Sequence, residues 1–427
     1  MTSTPTPTFR THLAARDWEP LAGYAFFVVT LAAGYYYNLT FVQLGLVDLG
    51  TRLVGLSRTS VSVGMAGLAL CTFLAAVVAG VAMDRRDVAL PGRLRALFAV
   101  LVAQTALTVA APHVRTAGGF AAWLVACSVA LGVGIPVTFG LTTDLIAVPD
   151  RGHVAAAVTA LAFFAAAVYP MDWRVEAFSR VLVVAMVPAV AALGAALRWL
   201  PGTVETLADR AETVGPGRFC RPDPVGTWSL RFWLPVVLMF GAFFVDSLGF
   251  LRITATPVYV LTSWQSPDVG VHLFIGAVHV AGALAAGVLY VNFGRRWLFL
   301  WVFGLFAFTH LLYSYDAWAL PGSRPPLLMP MFYSVAVSFY TTLNFALWPD
   351  LSTSDTAGTH TALGVGLAGW VATFLSTAVA LYFEDAGVTL LSHLRVVDAM
   401  AFLLLFLLAA LLYVRRALAV ARGGAKT

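Results

Sequence analysis

Charged residues are scarce in this chain. Asp, Glu, Lys and Arg make up 11% of its 427 residues, whereas a soluble domain carries about 25%. Hydrophobic residues make up 60%, and the mean hydropathy is +0.85. This small number of charged residues cannot cover a water-facing surface. The composition therefore excludes an ordinary soluble domain and predicts an integral membrane protein.

Cysteine is also rare, with only Cys71, Cys127 and Cys220 present. No CxxC pair or metal-ligand spacing surrounds them, which argues against a disulfide framework and a metal site. We find no phosphate-binding loop and no nucleophile–base spacing, so we predict neither an enzyme nor a cofactor. The net charge of +5 comes from basic residues scattered through short loops. That pattern is typical of membrane topology rather than of nucleic-acid binding.

Apolar residues, by contrast, form runs of about 20, the length that crosses a bilayer as a helix. Twelve spans are predicted: 21–47, 59–83, 95–112, 118–147, 153–171, 177–199, 232–261, 270–291, 296–314, 326–349, 360–383 and 393–414. The first run has no A-x-A cleavage site, so we expect it to remain as a helix rather than to be removed as a signal peptide.

Basic residues are unevenly divided between the two sets of loops. With the N-terminus in the cytoplasm, 18 of the 26 Lys and Arg residues fall in cytoplasmic segments. The positive-inside rule therefore predicts that both termini are cytoplasmic, and we expect a multi-pass protein of a bacterial inner membrane. The predicted units are an N-terminal tail (1–20), a six-helix bundle (21–199), a cytoplasmic linker (200–231), a second six-helix bundle (232–414) and a C-terminal tail (415–427).

The two halves of the chain resemble each other. At a constant offset of 206, SVALGVGIPVTFGLTTDLIAVPDRGHVAAA matches SVAVSFYTTLNFALWPDLSTSDTAGTHTAL. The match pairs Asp144 with Asp350, each followed by Leu, and pairs Gly152 with Gly358. Two similar six-helix halves related in parallel are typical of transporters that rock one half against the other.

A second match lies at the end of the second span of each half. The first copy, GVAMDRRD, contains Gly80, Asp84 and Arg85. The second copy, GVLYVNFGRR, begins with Gly287, at an offset of 207, and ends with Arg295 and Arg296.

With these features the chain resembles the major facilitator superfamily. Twelve spans, a six-plus-six repeat, a long middle loop and the glycine–acid–arginine signature after the second span all match that family. The copies depart from the signature, because Asp87 stands where Gly is usual and Val291 stands where the second copy would carry an acid. The resemblance implies an all-α membrane fold of two pseudo-symmetric six-helix bundles, a small-molecule substrate, a lipid-embedded chain and a monomer.

The resemblance also implies a gate at the cytoplasmic ends of the helices. Glycine at such ends lets helices approach closely, and Asp84 could meet an arginine or the positive N-terminus of another helix. Alternatively, these residues are ordinary interfacial charges that fix topology. The predicted gate residues are Gly80, Asp84, Arg85, Asp144, Gly287, Arg295, Arg296 and Asp350.

One carboxylate lies deep within an apolar span, in FGAFFVDSLGF. Asp246 is roughly 20 Å along the seventh span at about 1.5 Å per residue. An acid at that depth costs free energy and usually faces a cavity or a partner. Asp246 could bind and release a proton as its surroundings alternate between water and closure. It could instead bind a cationic or hydroxylated substrate, or be a structural acid paired with an arginine or a backbone group.

The repeat places Asn38 of the first span opposite Asp246, at an offset of 208. Asn38 shares a helix face with Tyr35, and a neighbouring polar stripe holds Tyr36 and Gln43. Arg252 lies nearer the outer surface, where it could contact an anionic group or extend outward to water. The predicted substrate or proton pathway is Asp246, Asn38, Tyr35, Tyr36, Gln43 and Arg252.

Two functions remain open at this point. One is a secondary active transporter that moves a small organic solute by alternating access, with protons as the candidate coupling ion. It predicts a water-accessible Asp246 and a cavity between the halves. The other is a non-transporting assembly factor on the same scaffold, similar to the branches linked to pigment-complex assembly. It predicts a closed, apolar centre with Asp246 held by a structural partner.

Overall fold

The computed structural model describes residues 7–169, 173–220, 223–293 and 295–424. These residues form long helices and no strand, so the predicted all-α membrane fold class is confirmed. The long helices are α1 (Trp18–Leu53), α2 (Arg58–Arg85), α3 (Leu90–His113), α4 (Ala117–Leu145), α5 (Arg151–Val168), α6 (Val175–Trp199), α7 (Leu230–Thr254), α8 (Val269–Phe293), α9 (Arg295–Ala319), α10 (Leu328–Leu351), α11 (Ala357–Asp385) and α12 (Leu390–Gly424).

Eleven of these helices are long and apolar enough to cross a membrane. The remaining long helix, α10, is long enough but more polar, because serines, threonines and Asn344 interrupt its apolar residues. Of its 24 residues, 19 are buried. The polar side chains of α10 therefore face other helices rather than lipid, as polar groups within a membrane generally do.

The predicted seventh span, 232–261, extends too far. Helix α7 ends at Thr254, and a separate short helix follows at Pro257–Val260. Thr256 is extended (φ −88°, ψ 118°) because a residue before proline is disfavoured in the helical conformation.

The tail and linker predicted around the first bundle both contain helix. A short helix at Phe9–Ala15 precedes α1, which begins at Trp18, within the predicted tail. In the linker, a helix at Pro201–Val214 begins with proline and ends at Gly215, whose φ is +53°. Arg210 of this helix forms an ion pair with Asp17 at 3.0 Å, so the linker contacts the start of α1.

Two helix pairs join the halves at close range. Where α2 crosses α11, a Cβ on Gly80 would lie 2.5 Å from the carbonyl oxygen of Gly358. Where α8 crosses α5, a Cβ on Gly287 would lie 2.9 Å from the carbonyl oxygen of Gly152. These four glycines are the ones that the sequence repeat pairs. The two crossings are therefore equivalent, and both depend on the absence of a side chain.

Two stretches of π-helix interrupt the long helices. They lie at Tyr37–Gly45 in α1 and at Ala362–Val371 in α11. A further five residues of α1, Leu49–Leu53, are also π-helical. π-Helix is rare and frequently marks functional sites, so these stretches point to the region between α1 and α11.

Candidate functional site

A cavity of about 70 Å³ lies at the centre, between the halves. Helices α1, α3 and α4 form one wall, and α7, α10 and α11 form the other. None of its 20 lining residues carries a charged side chain. The two π-helical stretches border it, since Asn38 belongs to the first and Trp370 to the second.

Three amide side chains reach this cavity. Asn38 donates through Nδ2 to the carbonyl oxygen of Gly34 at 2.8 Å, but its buried Oδ1 has no partner among the described residues. Gln104 is 9% exposed, and no hydrogen bond of its side chain occurs in the described part of the chain. Asn344 accepts through Oδ1 from Nε1 of Trp348 at 2.8 Å. The cavity thus holds hydrogen-bonding capacity that the protein itself does not use.

Aromatic rings form much of the remaining wall. Tyr35 packs edge-on against Phe345, with ring centroids 5.1 Å apart, and lies 6.1 Å from Trp370. Phe139 lies 5.9 Å from Phe345. Because these residues come from both halves, the rings line the cavity across the interface.

Asp246 does not line this cavity. It is half-buried and faces α10 within its own half. The hydroxyl of Tyr333 donates to Oδ1 at 2.6 Å, and the hydroxyl of Tyr340 donates to Oδ2. The two tyrosines are seven residues apart, so they occupy the same face of α10. Asp246 therefore has defined partners in this conformation, next to the cavity rather than in it.

The other predicted pathway residues lie in three kinds of location. Tyr35 and Asn38 line the cavity, whereas Gln43 bridges the halves, with Nε2 3.3 Å from Oγ1 of Thr377. The remaining two lie elsewhere. Tyr36 donates to the carbonyl oxygen of Tyr169 in a groove on the outside of the bundle. Arg252 donates to the carbonyl oxygen of Val388 at 3.1 Å, and its guanidinium lies 3.9 Å from the carboxylate of Glu384. Tyr36 and Arg252 therefore lie away from the cavity in this conformation.

At the end of the bundle that holds the chain termini, Asp84 caps the start of α11. Its carboxylate accepts from the backbone N–H groups of Gly358 and Thr359, both at 2.7 Å. It also accepts from the hydroxyl of Thr359 at 2.6 Å. The partner is thus the positive N-terminus of a helix in the opposite half, one of the two partners that the sequence suggested.

The second half makes a different contact at the equivalent place. Val291 packs against Gly152, and its neighbour Tyr290 donates to Oδ2 of Asp350 at 2.6 Å. Fully buried Arg151 pairs with Oδ1 of Asp350 at 2.8 Å. The acid missing at position 291 is therefore replaced by a buried ion pair across the halves.

Asp144 has basic partners from two directions. It pairs with Arg93 of α3, and Nη1 of Arg218 in the linker lies 3.5 Å from its Oδ1. Arg151 also donates to the carbonyl oxygen of Arg218. Asp144, Arg218, Arg151 and Asp350 consequently form one chain of contacts that runs from one half through the linker to the other.

The predicted gate arginines do not all join this network. Arg85 and Arg296 are exposed, and neither makes a hydrogen bond or an ion pair within the described ranges. Arg295 lies close to Tyr290. The prediction that Arg85 and Arg296 hold the gate closed is therefore not supported in this conformation.

The opposite end of the bundle is also closed. Arg58 of α2 pairs with Glu384 of α11, and Ser62 donates to the carbonyl oxygen of Ala378 at 2.7 Å. Between α5 and α8, Nδ1 of His272 lies 2.5 Å from the carbonyl oxygen of Ala167. The same two helix pairs thus close the bundle above and below the cavity.

Solved structures with this architecture are known. The proton:xylose symporter XylE bound to 6-bromo-6-deoxy-D-glucose matches with a TM-score of 0.62 at 13% identity, over 90% of this chain and 95% of that one. XylE from E. coli in a partially occluded inward-open conformation gives 0.60 at 13% identity, over 90% and 96%. The human organic anion transporter MFSD10 (TETRAN) gives 0.59 at 13% identity, over 92% and 99%.

The chain has the fold of the major facilitator superfamily. No family model and no curated protein sequence matches it. The similarity therefore lies in the three-dimensional arrangement of the helices, at 13% sequence identity. Contacts between the halves close both ends of the bundle, and the central cavity lies between them.

Several residues of the site were missed by the sequence interpretation. They are Gln104, Asn344 and Trp370 at the cavity, and Arg151, Arg218 and Tyr290 at the closed end. Gln104 had a usable signal, because it is the only amide in its apolar span. Arg151, Arg218 and Tyr290 had no such signal, since their partners depend on where the helices cross.

Proposed function

We propose that this protein is a secondary active transporter that moves a small organic solute by alternating access. The observation that carries the proposal is the uncharged, largely apolar cavity between the two halves, which three amide side chains reach and which separate contacts close at each end. A site of this kind can face either side in turn if one set of contacts breaks while the other holds.

The two sets of contacts define the proposed motion. Opening at the termini end requires α11 to leave Asp84 and requires Asp350 to part from Arg151. Opening at the other end requires Gln43 to release Thr377 and Arg58, at the start of α2, to leave Glu384 of α11. Because each set joins the same two halves, rocking of one half against the other would break one set while the other holds. The proposal places the termini end in the cytoplasm.

We also propose Asp246 as the site of proton coupling. An ionised carboxylate accepts from both Tyr333 and Tyr340, whereas a protonated one keeps less acceptor capacity and gains a donor. Protonation would therefore change how α7 holds α10, and α10 supplies Asn344 and Phe345 to the cavity. The similarity to a proton:xylose symporter supports this coupling by analogy of fold.

A non-transporting assembly factor is the second candidate. One observation favours it: both ends are closed, and Asp246 is held by two tyrosines, as that alternative predicts. A transporter passing through a closed state would show the same features.

The test is uptake of a labelled metabolite panel into proteoliposomes, with and without an imposed pH gradient. Asp246→Asn is expected to abolish gradient-driven accumulation while exchange survives. Asp398→Asn, a change to another acid within a span but away from the cavity, serves as the matched control and is expected to retain accumulation. Unchanged accumulation in Asp246→Asn would make Asp246 structural, and no uptake of any solute by the wild type would favour the assembly factor.

A further inference from the structure

The cavity offers no charge to a solute. Its lining contains no Asp, Glu, Lys, Arg or His. The nearest acid, Asp246, is turned toward α10, where both of its oxygens already accept from tyrosine hydroxyls. An ion transferred into these surroundings would lose its hydration without gaining a counter-charge, which is strongly unfavourable.

The cavity does offer hydrogen bonds. The buried Oδ1 of Asn38 accepts none from the described residues, and a buried acceptor without a donor costs free energy. Gln104 belongs to α3, in the same wall of the cavity as Asn38, and its side-chain amide can both donate and accept. A solute with hydroxyl or N–H groups would satisfy both amides at once.

The aromatic rings add a preference for shape. At the cavity, the ring centroid of Tyr35 lies 5.1 Å from that of Phe345 and 6.1 Å from that of Trp370. Rings in this arrangement pack well against a flat apolar face. The volume of about 70 Å³ is far below the roughly 300–1,000 Å³ of pockets for drug-sized ligands.

From these three properties, and resting on the proposed transport function, we infer that the solute is small and uncharged, with hydroxyl or N–H donors beside a flat apolar face. Asn38 Oδ1 receives a donor from the solute, Gln104 pairs with a second polar group, and the rings cover the apolar face. Organic ions of similar size and shape are rejected.

Matched solutes that differ in charge test this inference. Two series suit purified protein in proteoliposomes: nicotinamide, nicotinate and 1-methylnicotinamide; and D-glucose, D-gluconate and D-glucosamine. Uptake of an uncharged member at a rate at least tenfold above its charged analogues is the expected result. Uptake of charged members alone overturns the inference and leaves transport intact, whereas uptake of none overturns the proposed function and the inference together.

Variants connect the preference to the two amides. Asn38→Leu is expected to weaken binding of the uncharged solute about tenfold. Asn292→Leu is the matched control, because Asn292 makes the same bond to the carbonyl four residues earlier, also at 2.8 Å, but lies exposed at the end of α8. Equal effects of the two substitutions would overturn the role of Asn38.

Gln104→Glu provides a second variant in which the shape of the side chain hardly changes while its charge does. A carboxylate in the cavity is expected to weaken uptake of the uncharged solute and to favour its cationic analogue by at least tenfold. Thermal unfolding of each variant shows whether it is folded. An unchanged ratio of cation to uncharged solute in a folded Gln104→Glu protein overturns the inference.

Discussion

The cap that Asp84 places on α11 gives the most direct test of how the termini end closes. Asp84→Ala removes three hydrogen bonds between the halves, two of them from the N-terminus of α11. The exposed N–H groups of α11 then have no protein acceptor, and water replaces the carboxylate only when the helix moves away. The substitution therefore favours the conformation open at this end.

The size of the effect follows from the contacts. Loss of an N-cap side chain costs about 0.5–2 kcal/mol, and hydrogen bonds to charged groups contribute about 1.5–3 kcal/mol each. Water at a helix end compensates part of the loss, so we expect about 2 kcal/mol for Asp84→Ala, a roughly 30-fold rise in the ratio of open to closed protein. Asp84→Asn keeps one acceptor oxygen, so about 1 kcal/mol, or roughly fivefold, is expected.

The assay measures access to the cavity from the termini end. A single cysteine replaces Thr138, which lines the cavity, in a chain whose native cysteines are substituted. Its labelling by a membrane-impermeant maleimide in inside-out vesicles is expected to accelerate about 30-fold with Asp84→Ala when opening and closing are fast relative to labelling, because the rate then follows the open population. Asp355→Ala is the control, because Asp355 is an exposed acid just before α11 whose carboxylate, among the described residues, accepts a hydrogen bond only from Ser354. Equal labelling rates in the Asp84 and Asp355 variants would refute the role of the cap.

Three further predictions concern the contacts that close the bundle. Gly80→Ala places a Cβ 2.5 Å from the carbonyl oxygen of Gly358, so it is expected to speed labelling from the termini end, whereas the same change at Gly67, where no neighbour lies within 4 Å, is expected to have no effect. Gln43→Leu removes long hydrogen bonds between the halves and is expected to speed labelling from the opposite end only, by roughly threefold, or about 0.7 kcal/mol. Arg151→Met leaves Asp350 without its buried partner and is expected to destabilise the protein by about 3–5 kcal/mol in thermal unfolding. Adding Asp350→Asn is expected to restore part of that stability, and no restoration would argue against the ion pair as the cause.

Much of the fold was accessible from the sequence because a bilayer imposes length and apolarity on every span. The repeat also identified the four glycines at the helix crossings before the helices were placed. The end of α7 was predicted wrongly, since hydropathy continues through Pro257 although the proline interrupts the helix. Hydropathy likewise says little about α10, whose polar residues are shielded by its neighbours.

The site was less predictable because it depends on how each helix is rotated. Asp246 was recognised as an unusual acid, but its direction was not. Phe243, three residues earlier and about 60° away around the helix, lines the cavity, whereas Asp246 meets α10. A rotation of that size separates a cavity residue from a packing residue, and one sequence contains no information that fixes it. The partners of Asp144 and Asp350 escaped prediction for the same reason.

Through Arg218, the linker contacts both Asp144 and Arg151, so the proposed opening of the termini end would also move the linker. Two residues beyond Arg218 stands Cys220, which is exposed, whereas Cys127 is buried and Cys71 lies within α2. Cys220 also lies close to Tyr290, beside the junction that must separate when the termini end opens. In the proposed transport cycle, a fluorophore attached there would change its surroundings each time this end opens, so Cys220 would be a native position from which single cycles are timed.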